Sequence, residues 1–126
     1  MRCPGCNIDV MEMELAGVKI DYCIKCEGIW ISKEKLTELL DEGKLKKFFD
    51  TLTTSGEKED LKCPTCNKEM KIKTFSKTSD TSDIKIMDCP NNHGIWLSKN
   101  DLIKLLSSTN LDKEKQVLPL LKDMFV

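Results

Sequence analysis

No stretch of the 126-residue chain is apolar for long enough to cross a bilayer, so the sequence offers no candidate membrane helix. Its first residues, MRCPGC, show no charged-then-apolar leader, and a cytoplasmic location is expected. Neither sign of charge is in excess: 20 Lys plus Arg face 21 Asp plus Glu, for a formal net charge of −1. The strongly basic footprint of a nucleic-acid binder is therefore missing. Histidine occurs once, at position 93. Cysteine, by contrast, is abundant. There are seven, and an odd number cannot pair off completely into disulfides within one chain, so metal binding is the better account of them in a reducing compartment. An apolar share of 40% with 33% charged residues belongs to a globular chain of one ordinary domain or two very small ones.

The chain repeats itself. A shift of 66 residues lays CIKCEGIWIS (23–32) on CPNNHGIWLS (89–98), matching Cys23 with Cys89, Gly28 with Gly94, Trp30 with Trp96 and Ser32 with Ser98. The match continues from Leu36 on Leu102 to Leu45 on Leu111. A shift of 60 aligns CPGCN (3–7) with CPTCN (63–67), and the difference of six is absorbed by SKTSDTSD, which reads as a longer hairpin loop in the second copy. The expected division is a first unit at 1–52, a linker at 53–60 and a second unit at 61–126.

Each copy supplies a ligand pattern. In the first, Cys3 and Cys6 are followed after sixteen residues by Cys23 and Cys26, a spacing that falls within the range of structural zinc sites. Two residues between cysteines let a tight knuckle aim both thiolates at one ion and leave backbone amides free to bond the sulfurs. The second has Cys63 and Cys66, then after twenty-two residues Cys89 and, in place of a fourth cysteine, His93. Asn92 stands where the first copy has Cys26. Structural sites accept Cys or His, so the second copy reads as a three-Cys, one-His site; the bland alternative is a solvated loop histidine beside a dead remnant. A redox Cys-x-x-Cys needs a helix N-terminus in a βαβ setting, whereas CPGC and CPTC precede extended, alternating segments. A catalytic zinc keeps one position open for water, and four protein ligands close the shell. The expectation is two structural Zn2+ per chain, no catalytic residue and no enzyme activity.

Around the ligands, Met11, Met13 and Leu15 alternate, as do Val18, Ile20 and Tyr22, with Ala16-Gly17 between; Met70 and Ile72 oppose Ile84 and Ile86 likewise. That is the pattern of a β-hairpin with one covered face. Gly28 and Gly94 are expected to turn the chain with a positive φ. Trp30 and Trp96 should roof a small core. Ser32 and Ser98 read as N-caps of KEKLTELL and KNDLIKLL, with Asp101 completing a capping box after Ser98. Second helical runs follow, LKKFFDTL and KEKQVLPLLKDMF, the latter bent or restarted at Pro119. The fold class is thus a small, metal-stapled α+β protein of two tandem ribbons, each a β-hairpin with two zinc knuckles followed by helices. Units of this size bury too little apolar surface to be secure without a staple.

The paired knuckles, the Gly-Ile-Trp that follows them and the capped helix resemble the TFIIB-type transcription factor zinc-finger family, from Cys3 to Leu40 and from Cys63 to Leu106. Ser32 and Ser98 stand where that family usually has Asp, a swap between good N-caps. The resemblance implies zinc ribbons and a link to transcription, but fold alone does not set function. Seven thiolates and two dications added to −1 bring the formal charge to −4, which opposes phosphate binding, and the lysine runs GKLKKFF and KEMKIK read as solvated faces. The first expectation is therefore a non-catalytic protein-interaction module or adaptor. The alternative is a nucleic-acid-binding or transcription-associated zinc ribbon, with weak binding, and the third a zinc or redox sensor. Phe48, Phe49, Val117, Leu121, Met124 and Phe125 exceed the apolar area one small unit needs, so either the two copies pack against each other through these helices or the helices meet another chain, a second copy or a different protein.

Overall fold

The computed structural model describes residues 2–15, 17–40, 42–54, 61–75 and 84–108. The first copy forms β1 (Met11–Leu15), β2 (Val18–Tyr22) and β3 (Gly28–Ser32), then α1 (Lys33–Leu39) and α2 (Glu42–Thr51). A two-residue strand, β4 (Thr53–Thr54), leads to the second copy's β5 (Lys71–Phe75), β6 (Ile84–Asp88), β7 (Gly94–Ser98) and α3 (Lys99–Ser108). The expected KEKQVLPLLKDMF helix lies outside the described residues.

The two ribbons are halves of one antiparallel sheet, in the order β1-β2-β3-β7-β6-β5-β4. Its seam is the pairing of β3 with β7, where Gly28 meets Ser98, Trp30 meets Trp96 and Ser32 meets Gly94, a register unchanged when the copies are exchanged. The sequence of these strands explains their central place. In GIWIS and GIWLS the first four residues are buried, so both faces of the strand need cover, which an edge strand cannot obtain. Ile29, Ile31, Ile95 and Leu97 face the helices and join Leu15, Ile20, Leu36, Ile86, Leu102 and Leu105 in the larger core. Trp30 and Trp96 face the other side, among the cysteines, Met70, Ile72 and Met87. β4 also crosses between copies, since it follows the first copy's α2 but pairs with β5.

One local expectation is corrected. Gly28 and Gly94 do not carry positive φ; among the described residues those values fall on Asn7, Glu27, Asn67, Asn92 and, in the β1–β2 turn, Gly17. The glycines are required by space instead. A Cβ on Gly28 would lie 2.3 Å from Cζ2 of Trp96, and one on Gly94 would lie 2.9 Å from Cζ2 of Trp30 and 2.5 Å from the Ile31 carbonyl oxygen. Each tryptophan thus covers the other copy's glycine while lying in the small core that holds the cysteines. Of the two ways to cover the stripe of α2, packing within the chain accounts for Leu45 and Phe48, which lie in the core, with Phe49 and Leu52 packed against it. The Phe48 and Phe49 rings meet edge to face at 6.0 Å.

The serines divide. Ser98 Oγ accepts the Asp101 backbone N–H at 3.1 Å, the N-cap bond, and donates to the Asp101 carboxylate at 2.9 Å, so the expected pair forms through the two side chains. Ser32 is extended, as an N-cap should be, but makes no side-chain cap bond, and the first copy has Lys35 where the second has Asp101.

Candidate metal centres

Four turns carry the ligands. In each, the N–H of the first cysteine returns to a carbonyl past the turn: Cys3 to Ile8, Cys23 to Gly28, Cys63 to Lys68 and Cys89 to Gly94. These turns gather Cys3, Cys6, Cys23 and Cys26 in one cluster and Cys63, Cys66, Cys89 and His93 in the other, with all four ligand atoms of each within 4.8 Å of one another.

The spacing fits a tetrahedral ion. Zn–S bonds of about 2.3 Å and a Zn–N bond of about 2.0 Å place tetrahedral S···S edges near 3.8 Å and S···N edges near 3.6 Å. Cys3 and Cys26 sulfurs are 3.7 Å apart and those of Cys66 and Cys89 3.6 Å. His93 Nδ1 lies 3.5 Å from Cys89 Sγ and 3.9 Å from Cys63 Sγ. A disulfide would need sulfurs about 2.05 Å apart. The donor sets, four sulfurs and three sulfurs with one imidazole, are those of closed structural zinc sites, and the two centres fit two zinc ions.

The His93 knuckle shows how one residue's displacement is absorbed. In the first copy the turn closes late, with Glu27 N–H bonding the Cys23 carbonyl and Glu27 in the left-handed region at φ 61°. In the second it closes one residue sooner, with Asn92 N–H bonding the Cys89 carbonyl and Asn92 taking the left-handed role at φ 59°. Asparagine tolerates that conformation better than most residues. Asn92 is therefore the pivot of a shorter turn, and the chain leaves it one residue earlier with His93 aimed at the cluster.

Amides bond the sulfurs as the knuckle spacing suggests: Cys6 N–H to Cys3 Sγ, Thr65 N–H to Cys63 Sγ and Asn91 N–H to Cys89 Sγ, each at 3.4 Å. Asn91 also directs its side-chain amide to Cys66 Sγ at 3.6 Å, a contact to the opposite knuckle that ligand spacing alone does not reveal. Such donors favour thiolate. The Lys68 N–H, against the effect of burial, brings Cys66 down to about 6. Burial works to raise Cys23, but the N–H groups of Cys26 and Lys25, with its neighbouring thiols, hold it at about 7. Burial pushes Cys63 up to about 11. Each cluster therefore holds one readily ionised thiol beside others that a bound dication would deprotonate.

On the helix side of the sheet, a groove of ≈ 410 Å³ opens where α1 and α2 of the first copy meet β7 and the Asn92 turn of the second. Leu36, Leu45, Phe49 and Ile95 supply apolar surface, Lys33, Lys46, Glu42 and Asp50 charge. Lys73 and Asp88, also in its lining, form a 2.8 Å ion pair.

Fold and ligand sets together define a tandem zinc-ribbon protein with two sites that fit zinc. A family model described as "Transcription factor zinc-finger", the TFIIB-type zinc ribbon, matches residues 2–42 and 62–108, more than two thirds of the chain, and the chain belongs to that family. No curated protein and no solved structure gives a significant match. No helix among the described residues is long and apolar enough to cross a membrane.

Proposed function

We propose that this zinc-binding chain is a non-catalytic interaction module, an adaptor whose partner is a protein and whose site of action is the cytoplasm. The observation that carries this reading is the groove between α1, α2 and β7, in which apolar side chains lie among charges of both signs, a lining suited to a polypeptide surface. Both ligand sets are complete with four protein atoms, which supports structural rather than catalytic zinc. A pull-down with zinc-loaded protein and with Phe49→Asp tests it. A partner held by the wild type should be lost from the variant, whose zinc content should be unchanged; retention of every partner would remove the groove from consideration. A second copy of the chain is one candidate partner, and sedimentation at increasing concentration distinguishes it from an unrelated protein.

One observation favours the nucleic-acid alternative: the second ribbon carries Lys62, Lys68, Lys71, Lys73 and Lys85 against Glu69 and Asp88 among its described residues, whereas the first is acidic. Such a surface would bind DNA or RNA weakly, with a Kd of about 10⁻⁴ to 10⁻⁶ M and steep salt dependence. Nanomolar, sequence-selective binding at physiological salt would place this reading first.

A further inference from the structure

We propose that the two metal centres fill as one cooperative unit, zinc at either site raising the affinity of the other, because in each centre the turn that carries the last two ligands is held by the opposite copy. The bonds that do this are reciprocal. The carbonyl of His93, itself a ligand residue, accepts the N–H of Lys33, the first residue of α1, at 3.1 Å. The carbonyl of Glu27, next to the ligand Cys26, accepts the N–H of Lys99, the first residue of α3, also at 3.1 Å. Both carbonyls directly precede the glycine that opens a seam strand, and both N–H groups belong to a helix's first turn, where no intrahelical carbonyl is in reach. Glu27 also pairs through its carboxylate with Lys99 Nζ at 2.7 Å. The glycines that follow are covered by the opposite copy's tryptophan.

Zinc binding to such a site is coupled to folding, because the converged ligand set has no counterpart in the unfolded chain. Ordering the first copy around its ion sets β3, which is half of the seam, and the Lys33 N–H that receives the His93 carbonyl. The second turn then closes against a template already formed, and the ordering cost of the seam is met once rather than twice. Linkage makes the effect equal in both directions. The consequence is a threshold: over a narrow range of free zinc the chain passes from empty to doubly loaded, with little of the singly loaded form. The inference needs no partner and stands whether or not the groove binds one.

The test is metal titration of the whole chain, followed by native mass spectrometry with Zn2+ and by absorption with Co2+, whose spectrum separates the four-sulfur set from the three-sulfur, one-nitrogen set. Wild-type protein should show empty and two-zinc forms together, with both cobalt signatures rising in parallel. Cys23→Ser should weaken metal binding at the Cys63, Cys66, Cys89, His93 centre, and His93→Ala should weaken it at the Cys3, Cys6, Cys23, Cys26 centre, each by a similar factor of about 5 to 150. Gly28→Ala keeps all eight ligands while disturbing the seam, and should let the one-zinc form accumulate. Wild-type affinity at the intact centre of both ligand variants would overturn the proposal, as would a Gly28→Ala titration identical to the wild type's.

Discussion

The two copies share a fold but solve three local problems differently. The first closes its last ligand turn late and uses Cys26; the second closes it early on Asn92 and uses His93. The first leaves Ser32 without a side-chain cap bond, while Ser98 in the second caps the Asp101 N–H and bonds its carboxylate. On the cysteine side of the sheet, the first sets Glu12 opposite Asp21, where the second sets Ile72 opposite Met87. What stays constant is the seam: Gly-Ile-Trp in both strands, with each tryptophan against the other's glycine. Where the copies meet, the strands differ only by Ile31 in one and Leu97 in the other.

The largest effect should come from removing zinc. Chelation forfeits binding free energy of about 10 to 16 kcal/mol per site by the measure of zinc-finger peptides, so circular dichroism should show loss of the fold. Acid should do the same, because the thiols must give up protons to hold the ion. A pH titration of the cobalt-loaded protein should show both signatures lost as protons displace the ion from its thiolates.

The seam comes next. Gly28→Ala and Gly94→Ala should each cost about 1 to 3 kcal/mol, as overpacking does. The two differ in what stands in the way. Beside Gly28 the three nearest atoms all belong to the Trp96 ring, whereas beside Gly94 the nearest are the Ile31 carbonyl oxygen, the Ser32 Cα and the Trp30 ring. Gly94→Ala should be the worse, and trimming Trp96 should partly rescue Gly28→Ala while trimming Trp30 leaves Gly94→Ala unrescued. A double-mutant cycle by chemical denaturation reads this directly.

Smaller again is the cap. Ser98→Ala should cost about 1 kcal/mol and Ser32→Ala close to nothing, visible as a difference in Tm. The smallest effect is expected at the Glu12–Asp21 pair. Burial chiefly, and Glu12 in addition, raise the Asp21 carboxyl, with Lys35 opposing. A folded-state carboxyl raised in this way favours folding while protonated and loses that benefit as pH rises through its raised value. At neutral pH, then, Asp21→Asn should stabilise by about 0.2 to 1 kcal/mol, the scale of a like-charge cross-strand pair. Denaturant midpoints of both proteins at pH 7 would show it.

Ligand pattern and repeat were legible because they are local: knuckles of two spacer residues, a hairpin, a capped helix. The histidine was legible because it is single and falls one residue past an expected ligand. The seam was not, since β3 and β7 lie 66 residues apart and no turn announces their pairing. Four successive buried positions in each strand were the available hint. The glycines misled for a related reason. A glycine in sequence can mean a left-handed backbone or a missing Cβ, and only the tertiary neighbour, here Trp96 or Trp30, decides between them. The same applies to Phe48, whose excess for one ribbon is absorbed by a core that spans both.

The seam has one more consequence. Its register is isologous: position 28 meets 98 just as its counterpart 94 meets 32, so each copy offers the other the same surface that it receives. Two separate, identical ribbons could make this contact only at a rate and extent set by their concentration. Joining them in one chain replaces that with an effective concentration of about millimolar, so the molecule is a dimer of ribbons that dilution does not take apart.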